Sequence, residues 1–394
     1  MKYLYLVADG MGDWPLDILG GRTPLEAGHT PNMDKLAQNS LVGQCQTIPE
    51  GMEPGSDIAN MALMGYDPAV YHTGRGPIEA AAQGMETDPD DLIWRMNLVT
   101  LEEGGERTIM RDYSGGHVDT EPARKLIRQC KDIAPQGLVP VTGVQYRHLL
   151  IHKNGAQTPA ADISIRPPHD ILDKDIAPDM KAYSTYPPLY EFWNNAREIL
   201  AGKGNPTSAN AIWPWGQGTS LALPNFSQTR GLSGAVISAV DLVRGLGRAA
   251  GMHAPEVPGV TGLVDTNYQG KVEAALNFLR EGDFVFVHLE GPDECGHMGD
   301  AQEKIRAIEN FDQLILSPML NGLAGQNFTA IVCCDHLTPI KIRTHSTDPV
   351  PFMIHSSVKS RRGPKEFSEK TARSTQIKLT QGTDILKTAL NGDF

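Results

Sequence analysis

The sequence predicts an α/β protein, a doubly wound sheet domain interrupted by a smaller inserted α+β domain. Three observations carry this expectation. The runs Tyr3 to Ala8, Asp283 to Leu289 and Phe328 to Cys334 have the near-continuous apolar character of strands buried on both faces. Helical patterns lie beside them in the first 84 residues and after residue 210, whereas 85–210 has a different texture. The chain's 394 residues also exceed the ~250–300 over which one hydrophobic core usually grows. The expected division is therefore 1–84 with 211–394 as one discontinuous domain, and 85–210 as the insertion.

Each element has a local reason. After the first strand, Thr30-Pro31 supplies an N-cap and a first-turn proline for a helix through Asn39. A Pro/Gly-rich loop, Pro49 to Gly55, leads to a helix at Asp57 to Met64 that stops at Gly65 and has Ser56 at its N-terminus. In the insertion, Trp94 to Leu101 and Tyr146 to Ile151 read as strands and Glu121 to Asp132 as a helix. A Pro-rich aromatic passage from Arg166 to Pro188 follows. Beyond it, Gly234 to Leu246, Lys271 to Arg280 and Glu303 to Ile315 read as helices.

Composition narrows the partners. With 35 Lys+Arg against 47 Asp+Glu the net charge is −12, which disfavours nucleic acid and anionic membranes. The basic stretch from Lys359 to Lys387 is interspersed with acids and serines and reads as a solvated face. The N-terminal apolar run is too short for a signal core or a membrane span. Five cysteines, with Cys333 and Cys334 adjacent and no CxxC, do not form a disulfide framework, so a reduced, cytoplasmic setting is expected.

In open α/β sheets ligands bind beyond the carboxyl ends of strands. Asp9, Asp293 and Asp335 all follow predicted strands, and each alone could be a turn former or helix cap. The neighbouring histidines favour chemistry. Asp293 and His297 have DxxxH spacing, which places both on one side of a helical turn, Asp335 adjoins His336, and His345 follows nearby. Carboxylates and imidazoles without thiolates suit Zn²⁺, Mn²⁺ or a similar divalent ion. His288 and His72 are read as structural or as supports behind the ligands. Ser56 is either an N-cap or a nucleophile; a metal that takes water from a pKa of ~15.7 to about 7 could activate its hydroxyl, and a helix N-terminus favours a phosphoryl group.

The segments Ala8-Asp9-Gly10-Met11-Gly12-Asp13, Gly21 to Ala27, Thr30 to Asp34, Pro54-Gly55-Ser56-Asp57, Gly74 to Ala80, Ile212 to Gly218 and Cys334-Asp335-His336 together resemble the cofactor-independent (2,3-bisphosphoglycerate-independent) phosphoglycerate mutases of archaeal type, in the alkaline phosphatase superfamily. The resemblance runs through nearly the whole chain. It implies an alkaline-phosphatase-like fold, with 1–84 and 211–394 as the metal-binding catalytic domain and 85–210 as a substrate-binding or lid domain. It also implies two divalent ions, Mn²⁺ foremost with Zn²⁺ or Mg²⁺ as alternatives, and no bisphosphoglycerate cofactor. Asp293, His297 and His345 would hold one ion, and Asp9, Ser56, Asp335 and His336 the other. Ser56 would carry the phosphoryl group between the hydroxyls of a phosphoglycerate.

For substrate the insertion offers Arg95, Asn97, Arg111, Asp112, His117, Arg147 and His148, and the Gly74-Arg75-Gly76 turn offers Arg75 as a phosphate clamp, or else as the partner of a surface carboxylate. Arg111-Asp112 resembles an Arg-Asp pair of the bacterial mutases in which the aspartate moves protons. Asp112-Tyr113-Ser114-Gly115-Gly116-His117 departs from the archaeal Asp-Arg-x-Ala-Gly-Arg form. A homoserine kinase-like phosphotransferase of the same family and a metal-dependent phosphatase or phosphonate hydrolase are therefore the alternatives. The chain has no GxxxxGK[ST] loop for ATP, and Gly74-Arg75-Gly76 is not a dinucleotide fingerprint. The oligomeric state is not legible.

Overall fold

The computed structural model describes residues 1–105 and 107–394. In chain order the described strands are β1 (Lys2–Ala8), β2 (Ser40–Cys45), β3 (Leu92–Gly104), β4 (Arg107–Asp112), β5 (Leu138–Val144), β6 (Arg147–His152), β7 (Ala211–Thr219), β8 (Gly234–Ile237), β9 (Phe284–Leu289), β10 (Phe328–Cys333), β11 (Val350–Ser356) and β12 (Lys378–Leu379). The chain forms two compact units, Met1–His72 with Ala222–Phe394, and Thr73–Leu221.

The first unit is built on a seven-stranded sheet in the order β12-β2-β11-β10-β1-β9-β8. β10, β1, β9 and β8 run parallel, and β11 runs antiparallel to both its neighbours. Because β1 is central, its side chains are enclosed on both faces, which is why Leu4 to Ala8 contains no polar residue. Tyr5 packs against Phe284 and Phe286, with ring centroids 6.5 and 5.1 Å apart. Full burial of an aromatic side chain such as Phe286 contributes about 1.5–3 kcal/mol.

The second unit is an antiparallel sheet, β4-β3-β6-β5, with β7 also paired to β3. Its own core gathers Trp94, Trp213, Tyr183 and Phe192 beneath helices Thr120–Asp132 and Pro187–Leu200.

Three expectations need correction. The boundaries fall at 72/73 and 221/222, not 84/85 and 210/211, because helix Arg75–Ala82 and β7 belong to the second unit. Their apolar pattern looks like resumed α/β sequence, but β7 completes the antiparallel sheet, and a Cβ on Gly218 would come 2.0 Å from the Thr73 carbonyl. Gly234 to Leu246 is not one helix: Gly234–Ile237 is β8, paired with β9, and the helix is Asp241–Ala249. Four apolar residues are too few for periodicity to separate strand from helix. Third, Thr30 makes no side-chain cap. The Asp312 carboxylate accepts the Asn32 and Met33 N–H groups instead. No described helix is long and apolar enough to cross a membrane.

Candidate active site

The first unit brings the predicted acids, histidines and serine together at the carboxyl ends of its central strands. Asp9 directly follows β1, and Asp335 and His336 follow β10. Helix Gly291–Met298, which succeeds β9, carries Asp293 and His297 one turn apart. His345 arrives from the segment between β10 and β11. Two groups result, Asp293 with His297 and His345, and Asp9 with Asp335 and His336; within each, one donor atom per residue lies within 4.8 Å of the others.

In the first group His297 Nε2 is 3.2 Å from Asp293 Oδ2, and His345 Nε2 is 3.6 Å from Asp293 Oδ1. The two Nε2 atoms are 3.1 Å apart. Their Nδ1 atoms face the carbonyls of Arg343 and Pro54 at 3.0 and 3.3 Å, so each Nδ1 donates and each Nε2 turns inward toward Asp293. In the second group His336 Nε2 is 3.5 Å from Asp9 Oδ1 and from Asp335 Oδ2.

Ser56 is the first residue of helix Ser56–Leu63, and Gly55 holds the cap position. Its hydroxyl is therefore not spent on capping: Oγ lies 3.1 Å from His336 Nε2. Four residues on, Asn60 donates to Asp335 Oδ2 at 2.8 Å and to the Ser56 carbonyl at 2.9 Å, tying the helix to the acid.

Electrostatics identify what this cluster suits. Asp9, Asp293 and Asp335 are all buried. Burial pushes the Asp9 carboxyl well above its ordinary range, and the charges of Asp335 and Asp293 add to the shift. Burial acts likewise on Asp293, but hydrogen bonds from His297 and His345 outweigh it and hold this carboxyl well below the usual value. Asp335 is held low against its burial by His336 and His288. Burial opposes protonation of His297, yet Asp293 raises it to about 9. Burial lowers His336 and takes His288 down to about 4. Asp9 Oδ1 is buried without a hydrogen-bond partner. Like-charged acids, an unpartnered carboxylate oxygen and inward-facing imidazole nitrogens fit divalent cations, and the all-O/N donor set fits Mn²⁺, Zn²⁺ or Mg²⁺ chemistry.

Two residues here, Thr338 and Asn60, escaped the sequence reading. His288, read as structural or as a support behind the ligands, lies 3.0 Å from Asp9 Oδ2, across from Val7 in the β1–β9 pairing. Thr338 touches both Asp293 and His336, and Asn60 holds Asp335. Asn60 was accessible from its i+4 spacing to Ser56; Thr338 and His288 depend on chain crossings that sequence does not display. His72, read the same way, pairs with Asp57 at 3.0 Å.

The insertion's candidates separate into groups. Arg75 and Arg95 both lie over the Trp215 ring, at 5.7 and 5.0 Å. Arg95 also meets Glu79 at 2.7 Å, and burial, opposed by Glu79, lowers its pKa to about 10, with Arg75 and Arg147 adding to the lowering. Asn97 accepts from Trp215 Nε1 at 3.1 Å and donates to the Tyr113 carbonyl. His148 is buried, accepts from the Gly143 N–H at Nδ1, and burial takes its pKa to about 3. Arg111 is half-exposed and bound by Glu102 and Asp173 at 2.6 and 2.5 Å. Asp112 does not pair with it. Its carboxylate accepts from Ser114 N and Oγ and from Gly116 N, fixing the turn that leads to His117, whose φ is +53°.

Comparison with known proteins accords with this geometry. The metalloenzyme superfamily pattern matches residues 1–391. The 2,3-bisphosphoglycerate-independent phosphoglycerate mutase of Methanothrix thermoacetophila is 42% identical, covering 100% of both chains. The one from Methanosarcina barkeri is 43% identical over 98% of each. Among solved structures, a protein of Pyrococcus horikoshii superposes with a TM-score of 0.81 at 29% identity, covering 99% of this chain and 96% of that one. The cofactor-independent phosphoglycerate mutase of Thermoplasma acidophilum gives 0.64 at 25% identity over 99% of both. The full-length identity to the archaeal mutases, with the superfamily match, establishes that this chain belongs to the 2,3-bisphosphoglycerate-independent phosphoglycerate mutase family of the metalloenzyme superfamily.

Proposed function

We propose that the protein interconverts 3-phosphoglycerate and 2-phosphoglycerate without bisphosphoglycerate, through a phosphoryl group carried on Ser56. The observation that carries this reading is the uncapped Ser56 hydroxyl, at a helix N-terminus and 3.1 Å from His336 Nε2. Ser56 Oγ gives up its proton and bonds to phosphorus as the phosphorus bond to the glycerate oxygen breaks, and that oxygen takes a proton. After the glycerate reorients, its other hydroxyl loses a proton and attacks the phosphoserine, the phosphorus–Oγ bond breaks, and Ser56 Oγ takes a proton back. The helix N-terminus favours the negative phosphoryl group throughout.

Asp293, His297 and His345 would hold one divalent ion, and Asp9, Ser56, Asp335 and His336 the other, with Mn²⁺ first and Zn²⁺ or Mg²⁺ as alternatives. When bound, such ions neutralise phosphoryl oxygens and lower the pKa of the serine hydroxyl. The Pro54 and Arg343 carbonyls, by engaging Nδ1, hold His345 and His297 with Nε2 facing inward, and Asn60 orients Asp335.

The second unit contributes substrate recognition in this reading. Arg75, Arg95 and Arg147, with Asn97 and Trp215, form the cationic and aromatic group suited to a carboxylate or phosphate. Asp112 is the candidate for moving the glycerate protons, with His117 beside its turn, and His148, kept neutral by burial, is a further candidate for substrate. Arg111 would have to leave Glu102 and Asp173 to reach a substrate.

Phosphorus NMR tests the proposal. Mn²⁺-loaded protein given 3-phosphoglycerate alone should build 2-phosphoglycerate. Inorganic phosphate as the only product would indicate a phosphatase, and phosphohomoserine formed only from ATP and homoserine would indicate a kinase; either would sink the mutase reading.

A further inference from the structure

Thr338 is fully buried where three segments meet, yet it is not one of the groups expected to bind an ion. Its Oγ1 contacts Asp293 Oδ1 in a very short hydrogen bond and lies 3.3 Å from His336 Nδ1. One side chain thus touches both acid and imidazole groups. The backbone is shaped around it. A Cβ on Gly10, whose φ is +60°, would fall 2.5 Å from Thr338 Oγ1, and one on Gly296 would fall 2.5 Å from the Thr338 carbonyl. The carbonyl is anchored in turn by buried Lys304, whose Nζ donates to Thr338 O at 2.8 Å, Gly12 O at 3.1 Å and Asp13 Oδ2 at 2.7 Å.

Proton counting gives this arrangement a direction. A carboxylate only accepts, so the single Thr338 hydroxyl proton goes to Asp293. Oγ1 can then only accept from His336, which places the His336 proton on Nδ1. Nε2 is left with its lone pair toward Asp9, Asp335 and the Ser56 hydroxyl.

We propose that Thr338 is a positioning residue that fixes His336 as the Nδ1–H tautomer and couples the two groups through the chain His336 Nδ1–H to Thr338 Oγ1–H to Asp293. The consequence for ion binding rests on the metal reading above, whereas the tautomer is a property of the protein alone, so the two can fail separately. Long-range proton–nitrogen NMR on histidine-labelled, metal-free protein, with His336 assigned by the signals lost in His336→Asn, should report Nδ1–H. An Nε2–H tautomer overturns the proposal whatever the variants do. Thr338→Val should weaken Mn²⁺ binding, read by electron paramagnetic resonance, by about tenfold or more. Thr338→Ser, which restores the hydroxyl, should return it to within about threefold. Wild-type affinity in Thr338→Val, or a serine variant as weak as the valine one, would also overturn it.

Discussion

Ser56 Oγ and His336 Nε2 are 3.1 Å apart although 280 residues separate them in the chain. The contact exists because a helix N-terminus and the end of a central strand converge, and Asn60 clamps them by holding Asp335 from the helix that Ser56 begins. The serine is presented to the cluster and not absorbed into its own helix cap.

The burial of Asp9 beside two other acids gives a stability prediction. Its folded pKa is raised, so its favourable contribution is complete below the unfolded value near 3.8 and is lost as pH rises. Asp9→Asn has no such loss. At pH 8, without metal, the variant should therefore be more stable than wild type, by about 1–4 kcal/mol. Mn²⁺ should stabilise wild type more than the variant, which keeps only the Asp293, His297 and His345 group intact. Chemical denaturation with and without Mn²⁺ measures both, and a variant less stable than metal-free wild type contradicts the electrostatics.

Lys304 and Asp13 form an ion pair at 2.7 Å with both side chains fully buried. Lys304→Met leaves Asp13 uncompensated and frees the Gly12 and Thr338 carbonyls, at a cost of about 3–5 kcal/mol. Urea unfolding should show that loss. A change below about 1 kcal/mol would mean that the network is not holding these loops.

Glu369 lies in the same buried region, accepting from Asp13 N and Thr23 Oγ1, and burial raises its pKa from 4.5 to about 7. A raised carboxyl contributes stability below about pH 4.5 that drains away as pH approaches 7. Urea midpoints measured across that window should decline in wild type, and Glu369→Gln should flatten the decline. An unchanged slope would assign the pH dependence elsewhere.

The arginines of the second unit should differ sharply. Arg75→Ala removes a cation stacked on Trp215 and should raise KM for phosphoglycerate tenfold or more, about the value of one charge-assisted hydrogen bond. Arg111→Ala removes a surface group already satisfied by two carboxylates and should leave kcat and KM within about threefold. Steady-state kinetics on the two variants decides between them, and the reverse ranking would restore Arg111 to the substrate.

Much of this site was legible in the sequence because strand ends announce themselves. A buried parallel strand must be apolar, so the acids that follow it within a few residues stand out, as Asp9, Asp293 and Asp335 do. DxxxH on a helix and the adjacent Asp335-His336 are equally local signals. What stayed hidden depends on chain crossings. Thr338 reaches Asp293 only because helix Gly291–Met298 packs against the loop after β10 at a glycine, and His288 meets Asp9 only through the β1–β9 register. In the fold, β8 was too short for its period to be read, and β7 fell on the wrong side of the expected boundary because an apolar segment does not name its partner.

The most direct test is mass spectrometry of the Ser56 peptide from Mn²⁺-loaded protein quenched during turnover of 3-phosphoglycerate. One phosphoryl group on Ser56, absent from Ser56→Ala together with a loss in kcat of about 10³-fold or more, is the expected result. An unmodified Ser56 peptide during turnover, with Ser56→Ala active to within tenfold of wild type, would contradict it.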